Sequence, residues 1–477
     1  MAGVGFKLRE LLNSTDGALR LQGAAASFLI TAGPMIFMAL GFFFFEQKWL
    51  QLDFKSEDSG AFMGMLVYAY MSAWLSVGLF EHAVTRYFSD LVYLHYLNTI
   101  PRIVARVAVA GMLLSGLFCF LVVTVLGIDA PYSYYSVMLA AVLGATYSSS
   151  LFINATRSYI VIILSYVLAI ITAIALKNLF FASGYFGAIP KILAWMIGQA
   201  VIFAVQIIAI HSEFGIWNEA PPNMVKYLVA RRNYLYLGIV SALAPCVDRL
   251  TFWFSPVTSS KTFAGFLNYP PYDLGMFYAS VVVLPGLAMF LVKIETAFHL
   301  AIRDEFNAAE QDASYSEIGM KARHVSEIAI QSVYEVFFLQ VSFAIILFLV
   351  TLPGSKQLMT PEVTAVFRWG LLGYSVFLPM VVCNVFMLYF SRVRNVAIAL
   401  TVFVVVCFLG SLVTSYSSPL THGAGFFFAS LVGFLVSFVQ LNWILKHHTV
   451  IVFTEYDDAA DILPVPFNLE NLRRGEF

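Results

Sequence analysis

Twelve apolar runs, each close to the ~20 residues that a helix needs to cross a bilayer, follow one another along this chain. Hydrocarbon offers no partner to a backbone amide, so each run must bond its own peptide groups and is restricted to a helix. Of the 477 residues, 60% are hydrophobic and 12% charged, a balance that excludes a soluble domain and predicts an all-α polytopic membrane protein. The spans are predicted over Gly23–Phe45, Phe62–Phe80, Ile103–Leu126, Val137–Ile153, Tyr159–Leu176, Ile192–Ile210, Tyr234–Phe254, Leu274–Val292, Val333–Leu352, Trp369–Leu388, Val396–Val413 and Gly425–Ile444. The first run has no clear n-region or cleavage pattern, so it is expected to be retained. Cys119, Cys246, Cys383 and Cys407 all fall inside apolar runs and read as small buried hydrophobes, neither a disulfide framework nor a metal site.

Charge placement gives the orientation. With these spans, eighteen of the 27 Lys and Arg residues fall on one side of the membrane. Only Lys48, Lys55, Lys177, Lys191, Lys261 and Lys356 fall on the other, while Arg249, Lys293 and Arg368 sit at or within spans. The basic side is therefore expected to be cytoplasmic and to hold both termini. The two longest polar breaks, 211–233 and 295–327, lie on that side, and the first separates six spans from six. The expected organisation is an interfacial helix over 1–22, a six-helix lobe over 23–210, a linker over 211–233, a second six-helix lobe over 234–445 and a tail over 446–477.

A weak repeat crosses the linker. LFEHAVTRYFSD near the end of the second span and VKIETAFHLAIRD near the end of the eighth each place a Glu, Glu81 or Glu295, nine residues before an Asp, Asp90 or Asp304. Two halves of six spans share one topology, so they would be related by a pseudo-two-fold along the membrane normal, with a substrate path between them.

The stretch from Leu267 to Arg303 carries the most chemistry. Asn268, Pro270, Pro271 and Asp273 mark a turn before the eighth span, and Glu295, His299 and Arg303 form a polar stripe at four-residue spacing after it. Within the span, Pro285 and Gly286 permit a kink or break. Asp248 and Arg249 lie roughly 22 Å into the seventh span, just after Pro245. A charge at that depth costs about 2.5–3.5 kcal/mol on the insertion scale, so both are expected to face a cavity or a partner; the alternative is that Arg249 snorkels to the headgroups. Glu81 and Glu295 stand at the inner ends of their spans, as proton-accepting or lobe-bridging groups or simply as interfacial ones. Glu335 and Arg368 fit the interface, and Asp273 either joins a site or caps the helix that follows it.

Aromatic residues are abundant in and beside the spans, including Tyr70, Trp74, Tyr147 and Trp195. Sugar rings stack on such faces, although aromatic belts account for many of them. Tyr68, Trp253 and Tyr278 share segments with the polar candidates and are the aromatic candidates for a translocation path. No phosphate loop, HExxH, nucleophile elbow or DxD pair is present, which favours a transported substrate over a transformed one and predicts neither enzyme activity nor a cofactor. The acidic run Glu455–Asp461 reads as a solvated tail.

Three blocks carry a family resemblance: MAGVGFKLRELL at the start, VDRLTFWFS over Val247–Ser255, and YPPYDLGMFYASVVVLPGLAMFLVKIET over Tyr269–Thr296. Together they resemble the PelG family of Pel exopolysaccharide exporters, within the multidrug, oligosaccharidyl-lipid and polysaccharide exporter superfamily. Val4 replaces an expected Ile and Arg249 an expected Lys, changes that keep the branched side chain and the charge. The resemblance implies a bacterial inner-membrane exporter of an N-acetylgalactosamine-rich polymer for the biofilm matrix. It also implies a cytosolic PelF-like glycosyltransferase, a PelD-like cyclic di-GMP receptor and a PelE-like membrane protein as partners, and no nucleic acid. Arg102–Arg106 and Lys226–Arg232 would then be docking surfaces or contacts with anionic lipid. A lipid-linked oligosaccharide flippase, a small-molecule antiporter on the same scaffold, and a membrane-embedded enzyme or synthase scaffold are the competing classes.

Overall fold

The structure, a computed structural model, describes residues 56–94, 96–153, 159–215, 223–311, 313–351 and 359–449, together with Gly41 and Phe45. The interfacial helix expected over 1–22, nearly all of the span expected over Gly23–Phe45, and the tail beyond residue 449 lie outside the described residues. Everything described is helical apart from turns and one short hairpin. The helices are α1 (Ser56–Tyr93), α2 (Ile100–Leu126), α3 (Tyr132–Ile153), α4 (Tyr159–Ala182), α5 (Ala188–Phe214), α6 (Met224–Ala230), α7 (Arg232–Leu243) and α8 (Val247–Phe254). After the hairpin of β1 (Ser260–Lys261) and β2 (Leu267–Asn268) come α9 (Pro270–Ser280), α10 (Val283–Lys293), α11 (His299–Glu310), α12 (Tyr315–Val350), α13 (Pro361–Tyr389), α14 (Val393–Ser415) and α15 (Ala424–Lys446).

Among the described residues ten helices, some of them joined segments, are long and apolar enough to cross a membrane, and the pair α7–α8 makes an eleventh. Their ends follow local chemistry. Ser314 accepts the Glu317 amide at 3.3 Å to open α12, and Thr360 accepts the Val363 amide at 3.4 Å ahead of Pro361 in α13. Gly127, at φ 67°, closes α2 in the left-handed region that a side chain disfavours. At 36 residues α12 is about 54 Å long, so it projects well beyond a hydrocarbon layer of about 30 Å.

Two spans are broken where proline requires it. A 57° bend separates α7 from α8 at Ala244–Cys246, beside Pro245. In the other case the sequence places the break at Pro285–Gly286, whereas the helix is interrupted at Val281–Val282. Proline's ring collides with the carbonyl four residues earlier, so Pro285 sits in the first turn of α10, where its missing amide is not needed. A π-helical turn over Ile294–Phe298 follows, which sequence periodicity does not reveal. It inserts a residue into the register, so the expected stripe of Glu295, His299 and Arg303 is not a regular one.

Cores divide the molecule into two lobes. One buried cluster, around Phe298, Phe386, Phe403 and Phe426, is drawn wholly from residues 237–445. A second, around Tyr87, Ile103, Phe152 and Tyr227, comes from residues 84–227 at the end rich in Lys and Arg. At the opposite end a third cluster joins the halves, packing Phe62, Tyr68 and Trp195 with Trp253, Ala264 and Phe266. Midway, α1 crosses α7 so closely that a Cβ on Gly238 would collide with the Gly78 carbonyl oxygen. Trp74 donates to the Ala242 carbonyl at 3.0 Å on one side of that crossing, and His82 meets Ser241 at 3.1 Å on the other.

Gly238→Ala places a methyl against main chain that cannot move aside, so it should destabilise the protein by about 1–3 kcal/mol. Gly319→Ala, in α12 with open space around it, should stabilise by up to about 1 kcal/mol. Apparent melting temperatures in detergent check both signs.

Candidate functional site

The bent α7–α8 span and α9 carry the buried charge. Asp248 sits in the first turn of α8, where free helix amides favour a carboxylate, and is 2% exposed. Tyr272 of α9 donates to its Oδ2 at 2.6 Å, while Oδ1 makes no hydrogen bond among the described residues. The Arg249 guanidinium is within electrostatic reach of the Asp248 and Asp273 carboxyls and of the Tyr272 and Tyr374 hydroxyls. The compensation for these charges lies inside the second lobe, between α8, α9 and α13.

A second group lies at the end opposite the basic one. Trp253 donates through Nε1 to both carboxylate oxygens of Asp273, at 3.1 and 2.9 Å. Asp273 also accepts the Tyr269 amide at 3.4 Å, so it holds the start of α9 and binds an indole at once. Tyr68 of α1 donates to the Leu267 carbonyl at 2.9 Å and stacks on Trp253 with centroids 5.5 Å apart. Phe266, at the hairpin, lies 5.2 Å from the Tyr68 ring and fills the space above Gly64, where a Cβ would strike it. The first lobe is thus gripped by the hairpin of the second. Nearby, Tyr269 meets His422 Nδ1 at 2.9 Å, and burial followed by the Glu362 charge pushes the Tyr269 phenol above its ordinary pKa. It remains a protonated hydroxyl.

Other sequence candidates lie apart from these groups. Glu81 is half-buried on α1 and has no ion-pair partner among the described residues. Glu295 falls in the π-helical turn, and its side chain lies outside what is described. Tyr278 is 41% exposed and its ring contact is with the adjacent Phe277. Lys293 pairs with Glu335 at 2.9 Å, while Arg368 bonds Thr351 and lies over the Phe348 ring, tying α13 to the end of α12. All four cysteines are buried and unbridged.

Sequence reasoning missed two features of the basic end. Tyr227 of α6 donates to Asp90 Oδ2 at 2.5 Å, and Asp90 also pairs with Arg86 at 3.1 Å. Burial and then the Asp90 carboxylate raise the Tyr227 phenol far above its ordinary pKa, so it stays a donor. In the second lobe Glu305 and His448 form a buried pair at 2.8 Å. That pair borders a cavity of about 940 Å³ that Arg231, Arg392 and Arg394 also line. Neither Glu305 nor His448 belongs to a motif, and only burial distinguishes Glu305 from its exposed neighbour Asp304.

The sequence matches the family described as PelG, putative exopolysaccharide exporter (EPS-E), over residues 1–453. No curated protein is matched. Solved structures with the same fold include a MATE mutant, with a TM-score of 0.58 at 14% identity, covering 94% of this chain and 99% of that one. A mutant of the Vibrio cholerae MATE transporter VcmN gives 0.54 at 15% identity over 88% of this chain and 98% of its own. A MOP superfamily transporter from Pyrococcus furiosus gives 0.54 at 14% over 94% and 99%. At these identities the likeness is one of fold: an all-α, two-lobed arrangement of about twelve spans.

Arg249→Ala strands the Asp248 carboxylate and should cost about 3–5 kcal/mol of stability. Adding Asp248→Asn should recover part of that loss, because the stranded charge is gone. A double-mutant cycle on melting temperature reads the coupling.

Proposed function

Because the chain belongs to the PelG family of putative exopolysaccharide exporters, we propose that it carries a Pel-type, N-acetylgalactosamine-rich polysaccharide across the bacterial inner membrane, from cytoplasm to periplasm. Family and fold are those of multi-pass membrane transporters. The observation that carries the reading is where the lobes join: they share a core at one end, touch at Gly78–Gly238, and keep separate cores at the basic end. That is the arrangement of a passage open toward the basic side and shut on the other. Taking the basic side as cytoplasmic, with both termini there, the passage accepts its substrate from the cytoplasm.

In this mechanism the hairpin and the Tyr68–Trp253–Asp273 group form the exit gate. Phe266 must leave Gly64, and Tyr68 must release the Leu267 carbonyl, before a chain can pass. Asp248 and Arg249 set the polarity beside the passage, and Glu81 with Glu295 stands at its mouth. We assign lobes to 23–210 and 234–445, with 211–233 as linker, and the basic segments around Arg102–Arg106 and Lys226–Arg232 as docking surfaces for PelF-, PelD- and PelE-like proteins. The same scaffold suits a lipid-linked oligosaccharide flippase or a small-molecule antiporter, since MATE transporters share it.

Deleting the gene should abolish secreted N-acetylgalactosamine-rich polymer and re-expression should restore it, with no turnover of sugar donors by the purified protein. Secretion that persists without the gene overturns the reading. Asp248→Asn should also abolish secretion at unchanged membrane abundance; a parallel fall in abundance makes the residue structural.

The gate has its own test. Replacing Gly64 and Phe266 together with cysteine puts two thiols within reach of a disulfide after a small shift. Oxidation should then stop secretion and reduction should restore it, whereas either single substitution should be insensitive to oxidant.

A further inference from the structure

Tyr70 and Trp74 stand one turn apart on one face of α1, and the Tyr147 ring of α3 meets both, with centroids at 6.4 and 6.5 Å. The Trp195 indole donates to the Tyr70 hydroxyl at 3.2 Å. Tyr166 of α4 lies within electrostatic reach of both Tyr70 and Tyr147. Neither the Tyr147 nor the Tyr166 hydroxyl makes a hydrogen bond among the described residues.

These side chains are not sealed. Tyr70, Tyr147 and Tyr166 are half-buried, and Trp74 is 43% exposed although its bond to the Ala242 carbonyl holds it against the other lobe. Its ring contact, Tyr147, belongs to α3, the most enclosed of the described spans of the first lobe. A ring pinned between that helix and the second lobe, yet open over much of its surface, borders the space between the lobes. Tyr68 and Trp253, by contrast, spend their faces on each other.

Flat aromatic faces beside hydroxyls that both donate and accept complement a pyranose, which offers C–H faces and a rim of hydroxyl and amide groups. The cluster carries no formal charge. The carboxylate on the same helix face, Glu81, is seven residues or about 10 Å farther along α1, too distant to pair with a cation held on Trp74. We propose that Tyr70, Trp74, Tyr147 and Tyr166 form a saccharide-binding subsite in the first lobe that holds a sugar of the polymer in transit. The proposal rests on the exporter reading and names its substrate contact.

The test is equilibrium binding of N-acetylgalactosamine oligosaccharides to the purified full chain in lipid nanodiscs. Wild type should bind, and Trp74→Ala and Tyr147→Ala should each weaken binding by about tenfold or more. Trp74→Phe, which loses the bond to Ala242 but keeps a ring, should retain most of the affinity. Phe338→Ala, an outward aromatic that is 64% exposed, should not change it. If wild type binds and the two alanine variants bind equally well, the subsite is wrong and the exporter reading stands. If Trp74→Phe falls as far as Trp74→Ala, the residue acts through the seam and the stacking role is wrong. If wild type binds no oligosaccharide, the subsite is wrong, and binding of tetraphenylphosphonium that Trp74→Ala and Tyr147→Ala weaken shows that the cluster takes an organic cation instead. Secretion that also persists without the gene shows that the exporter reading itself has failed.

Discussion

The close crossing of α1 over α7 at Gly78 and Gly238 constrains everything else in this molecule. Lipid supplies no hydrophobic drive to bring two helices together, so two lobes immersed in it must be joined by packing and by polar bonds. At this crossing main chain meets main chain, because neither glycine interposes a side chain. Trp74 and His82 add one bond on each side, both to α7, so the contact resists sliding. The shared core lies at one end and the separate cores at the other.

Broken helices place the charge. A carboxylate and a guanidinium deep in a span are tolerable only if each finds compensation within the protein, since the cost of an unpaired ion in lipid is several kcal/mol. The bend at Ala244–Cys246 gives Asp248 a helix start to sit in and directs α8 toward α9, where Tyr272 and Asp273 wait. Pro270 and Pro285 serve the same arrangement from the segment that follows the hairpin. The first opens α9, and the second forces the interruption at Val281–Val282 that leaves α9 a separate short helix. Bend, interruption and charge are therefore one construction.

Much of this was legible in the sequence, for a physical reason. Hydrocarbon forces each span to declare itself by length and composition, so the eleven spans that are described lie where apolar runs predict them. Tyr68, Trp253 and Tyr278 stand out in the sequence only because they share segments with polar residues; that Trp253 binds Asp273 and stacks on Tyr68 while Tyr278 stays apart is set by packing. Proline marks a break without marking its position, because the steric conflict lies four residues upstream. Trp74 and Tyr147 were visible only as aromatics among many; which face of a helix looks into the space between lobes depends on tertiary packing that no periodicity records. The hairpin, two residues in each strand, is too short to carry a pattern.

The π-helical turn decides how the two halves correspond. In the sequence Asp90 follows Glu81 by nine residues and Asp304 follows Glu295 by nine, which pairs Asp304 with Asp90. One residue inserted at Ile294–Phe298 shifts the register, so the position equivalent to Asp90 falls on Glu305. The contacts agree: Asp304 is exposed, whereas Asp90 and Glu305 each bind a residue beyond the last span of their own lobe. Asp90 accepts from Tyr227 after α5, and Glu305 pairs with His448 after α15. Each lobe is thus clasped at its basic end by a carboxylate on its second span or the helix that continues it and a ring that follows its last span. The two clasps share a position but not a chemistry, because the first holds a phenol that stays protonated and the second an imidazole buried beside a cavity lined with arginines. Each clasp ties the helix that continues a lobe's second span to the segment after its last one, so each lobe is fastened within itself at the end where the two keep separate cores.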